Sequence, residues 1–115
     1  MAGRNTLELL KEIRENIAAV ANLIEGLSYE EFHRDEWTYA AVIKCIRKIG
    51  EATQRISTIA RVKYALVPWK DLAALENTVT QADPATLPIT IWKISTETLP
   101  VIRPLVENVI GEIEQ

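Results

Sequence analysis

Histidine and cysteine each occur once in this sequence, as His33 and Cys45. A zinc site of three or four His/Cys ligands therefore cannot be assembled within one chain, and no metal is expected. Cys45 has no partner for an internal disulfide, which suits a reducing compartment. A Cys–His catalytic pair is formally available, yet neither residue sits in a local signature for one. The four glycines, Gly3, Gly26, Gly50 and Gly111, are isolated, so no phosphate-cradling loop exists. No apolar run reaches the roughly 18 residues that a membrane span needs. The opening Met1-Ala2-Gly3-Arg4-Asn5 lacks the apolar stretch of a signal peptide, and a cytoplasmic protein is expected. No cofactor is implied by anything present.

Basic charge is also scarce. The net charge is -3 with a pI near 5.2, whereas general nucleic-acid binders are usually basic. The charge is unevenly spread, however. Residues 7–36 carry eight acidic and three basic side chains, while residues 44–63 carry six basic ones and a single acid, Glu51. A local basic surface survives the overall acidity.

The 115 residues suffice for one domain, taken as residues 1–115, with 48% hydrophobic and 25% charged residues, an ordinary globular balance. Their pattern is helical. Asn5 and Glu8 have the spacing of a capping box. Leu10, Ile13, Ile17, Val20, Ile24 and Leu27 then recur every three or four residues, along one helical face. Gly26 closes that run, and Ser28 with Glu31 opens a short second turn. A long helix is predicted from about Glu36 to about Ala60, with Val42, Ile46, Ile49, Thr53, Ile56 and Ala60 in one sector. Lys44, Lys48, Glu51 and Arg55 fall opposite.

Residues 61–67 read as a connector, and Pro68 suits the first position of a third helix. Thr78-Val79-Thr80 lowers helix propensity by roughly 1–2 kcal/mol against alanine. Asp83 precedes Pro84, which disfavours a helical backbone at Asp83. The third helix should therefore stop near Asn77 or Thr80, with residues 81–86 as loop and Asp83 exposed. A further helix opens at Thr86–Pro88, and Pro100 and Pro104 should bend or interrupt it. The fold class is all-α: an up-and-down bundle of about five helices around two long antiparallel ones.

From Phe32 onward the residues bear a specific likeness. Phe32-His33-Arg34-Asp35, Ala41-Val42, Ile49-Gly50-Glu51-Ala52, Tyr64, Val67-Pro68-Trp69, Trp92 and Leu99-Pro100 follow one another at fitting distances over about residues 32–105. Together they resemble the HepT-like branch of the HEPN superfamily, metal-independent ribonuclease toxins that partner small MNT nucleotidyltransferases. The resemblance implies a HEPN-type bundle and a homodimer packed through the long helices, with the motif regions near each other across the interface.

The family's Pro-Trp leads into a helix ending in Arg-Asn-x-x-x-His-x-Tyr. Counting from Pro68-Trp69 places those positions at Glu76, Asn77, Gln81 and Asp83, and counting back from Trp92 gives the same register. Only Asn77 matches. Cleavage of this kind needs a group that moves the 2′-hydroxyl proton and a cation for the developing phosphorane charge. Glutamine does not titrate, and a carboxylate at Glu76 repels phosphate. The tyrosine resembles an acceptor of AMP groups, and Asp83 has no phenol.

The expected function is thus a HepT-like protein without nuclease activity, acting as a binding or regulatory subunit. It competes with an active ribonuclease toxin using relocated residues and with a stand-alone interaction module. Lys44, Arg47, Lys48 and Arg55 could track the phosphates of RNA, or form a solvated face in which Glu51 has salt-bridge spacing to Arg47, Lys48 and Arg55. Gly50 could admit a helix at an interface. His33 reads as a surface residue and Cys45 as core. Trp37, Trp69 and Trp92 read as core anchors rather than stacking platforms. Glu76 and Asp83 lack the regular spacing of a metal-binding pair.

Overall fold

The computed structural model describes residues 2–115, with side chains described from Asn5 onward. Helix α1 (Ala2–Ile24) begins ahead of Asn5, which therefore lies inside its first turn and does not cap it. Nothing in the preceding residues breaks a helix as proline would, so the helix runs back past the capping-box pattern. Leu10, Ile13, Ile17 and Val20 are fully buried, as the seam predicts. Gly26 ends the run in the left-handed region at φ +78°, a conformation that costs glycine nothing.

Helix α2 (Tyr29–Arg34) has a complete capping box: Ser28 Oγ accepts from the Glu31 N–H, and Glu31 Oε1 accepts from the Ser28 N–H. Helix α3 (Glu36–Gln54) follows at once. The pair Phe32 and Asp35 makes this corner. Phe32 is fully buried against Tyr39 and Trp92, and Asp35 caps α3, accepting from the Thr38 N–H at 3.1 Å and its hydroxyl at 2.9 Å.

The long helix predicted to Ala60 stops at Gln54 instead. Ser57 caps a new helix, α4 (Thr58–Lys63), by accepting from the Ala60 N–H. Arg61 reaches back to the carbonyls of Thr53 (2.7 Å) and Ile56 (3.2 Å). Those two bonds tie α4 back to the end of α3, where the Thr53 carbonyl also accepts from the Ile56 N–H at 3.0 Å. Ile56 and Ala60 remain buried across the break, which is why periodicity alone ran through it.

Helices α5 (Trp69–Ala73) and α6 (Leu75–Gln81) are separated by Ala74 alone. Helix α7 (Leu87–Lys93) continues into α8 (Leu99–Glu114) through one π-helical stretch, Ile94–Thr98. There the Leu99 N–H donates to the Ile94 carbonyl, five residues back. The widened turn precedes Pro100, whose ring would crowd the carbonyl four residues earlier in a regular helix. Pro100 is thereby absorbed, Pro104 lies inside α8, and the chain stays helical to Glu114.

Helix α1 packs against both α3 and α8. The core comes from Leu10, Ile13 and Ile17 of α1, Val42, Ile46 and Ile49 of α3, and Ile102, Val106 and Val109 of α8. The molecule is an all-α bundle, with the α7–α8 run as a third long member beside the two expected ones. Buried Thr53 and Ser95 each donate a hydroxyl proton to a carbonyl four residues back. Among the described residues no buried polar side-chain atom lacks a partner, and no helix is long and apolar enough to cross a membrane.

Candidate functional site: the α6 segment over α3

The motif positions lie on α6 and in the turn after it, and α6 rests on the C-terminal half of α3. Gly50 makes this seating close. A β-carbon added there would lie 2.7 Å from the Glu76 backbone nitrogen and 3.1 Å from its Cβ. The glycine does admit a helix, but that helix is the chain's own α6, so the surface is already occupied. Gln54 adds a tether by donating from Nε2 to the Ala73 carbonyl at 3.2 Å.

Helix α6 persists through Thr78-Val79-Thr80 to Gln81, one residue beyond the latest predicted stop. Leu75 and Val79, one turn apart, are buried in the core, and such packing outweighs a propensity deficit of about 1–2 kcal/mol. Thr80 donates its hydroxyl proton to the Glu76 carbonyl at 2.9 Å, which lets it sit in a helix without an unpaired group. Positions 76 and 81 thus keep helical backbone. Glu76 is half-buried, and Asn77 and Gln81 are exposed.

Asp83 stands outside the helix and is exposed, as expected. Its Oδ1 accepts from the Ala85 N–H at 2.9 Å, and its carbonyl accepts from the N–H groups of Thr86 and Leu87. Asp83 thereby shapes the turn into α7, a structural use of the position. Among the described residues no group of three or more His, Cys, Asp or Glu is placed to hold a metal ion.

A second tie orients the approach to α6. Trp69 is buried and donates from Nε1 to the Tyr64 carbonyl at 3.0 Å. The Tyr64 and Pro68-Trp69 signatures are thus two ends of one hydrogen bond, which closes the turn between α4 and α5. Trp92, half-buried, packs its ring edgewise on Tyr29 at 6.0 Å between centroids. Trp37 departs from the expectation of a core anchor: it is 89% exposed. It occupies the first turn of α3, on the face turned away from the core.

That outward face also carries Lys44, Arg47, Lys48 and Glu51, all exposed, with Arg55 at the end of the helix. The expected salt bridges to Glu51 are not formed. Among the described residues the ion pairs are Lys11–Glu114 and Arg103–Glu107. The basic side chains point into solvent, where their entropy is kept and a surface pair would add little. Cys45 is only half-buried and thus at the margin of the core. Burial pushes its thiol up from the ordinary value, against a smaller opposing pull from Lys48 and Lys44. His33 is exposed, with its ring edge on Tyr29.

The geometry is that of an all-α bundle with a short helix, α6, seated on Gly50 of the long helix α3. The family described as ribonuclease HepT-like matches residues 13–109. The chain belongs to that family. It is 29% identical to "Putative RNase MJ1216" of Methanocaldococcus jannaschii, over 99% of this chain and 94% of that protein. It is 32% identical to "Putative RNase MJ1380" of the same organism, over 95% of this chain and all of that protein. It is 25% identical to "Probable ribonuclease HepT" of Thermococcus cleftensis, over 87% and 91%. No solved structure matches the chain.

Proposed function

We propose that this protein is a HepT-like member that has kept the family scaffold and lost its nuclease chemistry, and that it works as a binding or regulatory subunit. The observation that carries this reading is the side-chain set on α6: Glu76, Asn77 and Gln81 on intact helical backbone, followed by Asp83 in a turn. A carboxylate at position 76 opposes an incoming phosphate. An amide at position 81 can hydrogen-bond but cannot exchange a proton near neutral pH. The partner that goes with this reading is a small MNT-type nucleotidyltransferase, and its setting is the cytoplasm. The test is incubation of purified protein with labelled RNA in the presence of a metal chelator. No cleavage above buffer is expected. Cleavage that a single substitution abolishes would restore the ribonuclease reading.

The same reading includes a homodimer. A two-fold axis through the middle of α3's outward face would bring Lys44, Arg47 and Lys48 against their own copies, with one acid, Glu51, to offset them. Ile59, Val62 and Leu66, on α4 and the turn after it, are instead between 74% and 85% exposed and carry no charge. This apolar strip is the contact we assign to the dimer, in place of the packing through the long helices that the resemblance implies.

A further inference from the structure

Helix α4 is fastened to the bundle by few groups. Of its residues only Ala60 is buried, so burial contributes little more than one methyl group. The larger apolar side chains of this segment, Ile59, Val62 and Leu66, all face solvent. Two adjoining clefts border it and share Lys63 and Tyr64. One, of about 450 Å³, lies between the turn after α4 and Leu105, Asn108 and Glu112 of α8. The other, of about 150 Å³, lies between α4 and the pair Thr6 of α1 and Ile113 of α8. Side chains that border a gap forfeit the close contacts that hold other helices in place. Each end of α4 turns on one residue: Ser57 leaves helical geometry at ψ 154°, and Tyr64 at φ -110° and ψ 53°. Neither proline nor glycine occurs from position 51 to position 67, so side chains set the break. Ser57 Oγ accepts from the Ala60 N–H, and Arg61 donates to the Thr53 and Ile56 carbonyls at 2.7 and 3.2 Å.

We infer that α4 is a hinged strap, which opens between Ser57 and Tyr64 while the rest of the bundle stays folded, and that Arg61 is its latch. Opening gives up one buried methyl, one cap and the two Arg61 bonds. Opening α1 or α3 would instead expose Leu10, Ile13 and Ile17 or Val42, Ile46 and Ile49, all buried. A helix this short has no stability of its own, so once released it does not persist. Segments with few buried apolar contacts open at a small fraction of the global unfolding cost. Among the groups that hold α4, the guanidinium makes the only charge-assisted bonds, which are the stronger kind. The strap also bears Ile59 and Val62 of the strip assigned to the dimer. A second copy docked there selects the closed strap and holds it shut. This coupling rests on the dimer reading; the strap and its latch do not.

Hydrogen–deuterium exchange of the full chain, resolved to single amides by NMR, tests this. The Tyr64 N–H, bonded to the Ala60 carbonyl, reports the strap, and the amides of Ile13, Ile17, Ile46 and Ile49 report the bundle. After correction for intrinsic rates, Tyr64 should exchange about 100-fold faster than those four, or more. Arg61→Met keeps an apolar stem and removes both latch bonds. It should speed Tyr64 by about a further 10- to 100-fold, the factor lost with a hydrogen bond to a charged group, and leave α1 and α3 unchanged. Ser57→Ala, at an exposed position, should speed it about 5-fold, and it carries the same test if Arg61→Met does not fold. The proposal is overturned if Tyr64 is as protected as the bundle amides. It is also overturned if the substitutions leave Tyr64 unchanged, or speed all the helices alike, which would make Arg61 a support of the whole fold. Exchange is then repeated at rising protein concentration with light scattering alongside. Tyr64 should slow in step with dimer formation, and a dimer that leaves its rate unchanged overturns the coupling. A protein that stays monomeric throughout counts against the dimer reading alone, because the strap is then measured in the monomer.

Discussion

Gly50 has no special backbone angle; it is held at its position by what lies above it. A methyl group there would meet the Glu76 backbone nitrogen at 2.7 Å, and backbone within a packed helix cannot swing aside as a flexible side chain can. Gly50→Ala should therefore destabilise the protein by about 1–3 kcal/mol, the range for overpacking, although alanine is the better helix former. Denaturant unfolding measures it; a neutral or stabilising result would show that α6 is loosely seated. Two caps give a pH signature. Hydrogen bonds from Ser28 hold the Glu31 carboxyl below its ordinary value of 4.5, and those from Thr38 hold Asp35 below 3.8. Depressed folded values mean stability that is fully present above the unfolded values and is lost as pH falls through the folded ones. The melting temperature should thus fall on acidification below about pH 4.5, and Glu31→Gln with Asp35→Asn should flatten that dependence. The Ser28–Glu31 cap was legible in the sequence, because a cap is a local spacing, while Asp35 entered only through the Phe32–Asp35 resemblance. Trp37 could not, because its exposure depends on which face of α3 the rest of the chain leaves bare.

The helices show where local rules give way to tertiary ones. The α1 seam, the α2 box and the start of α3 were all legible from periodicity and capping residues. The end of α3 was not, because the side chain that fixes it, Arg61, comes from the next helix and bonds Thr53 and Ile56. In α6 the error runs the other way. Two threonines and a valine argued for an early stop, and burial of Leu75 and Val79 carried the helix on to Gln81. This matters for function. An early stop would leave restored motif side chains without a backbone to aim them, whereas positions 76 and 81 both lie on helix. Position 83 differs, since Asp83 is committed to the turn before α7. The α7–α8 run repeats the lesson with Pro100, whose disruption is confined to one π turn.

At the scale of the molecule, surface decides what the bundle does. Ile59, Val62 and Leu66 leave an apolar strip on α4 and the turn after it, and Trp37 with Lys44, Arg47 and Lys48 leaves a polar face on α3. The first predicts a dimer: light scattering at micromolar concentration should give twice 13.0 kDa, and Val62→Glu should return it to monomer. A stable monomer in the unsubstituted protein would defeat that prediction. The proposed loss of chemistry rests on the most legible part of the candidate site, residue identity at a counted register. The seating of α6 on Gly50 was the least, since it depends on two helices meeting. The central claim is that the scaffold is kept while the reacting side chains are gone. It is tested most directly by a time course of labelled RNA in chelator, with the unsubstituted protein run beside the Glu76→Arg, Gln81→His double variant. The account predicts a flat trace for the unsubstituted protein and a gain of cleavage in the variant. Cleavage by the unsubstituted protein that survives repurification and is lost on one point substitution would contradict it.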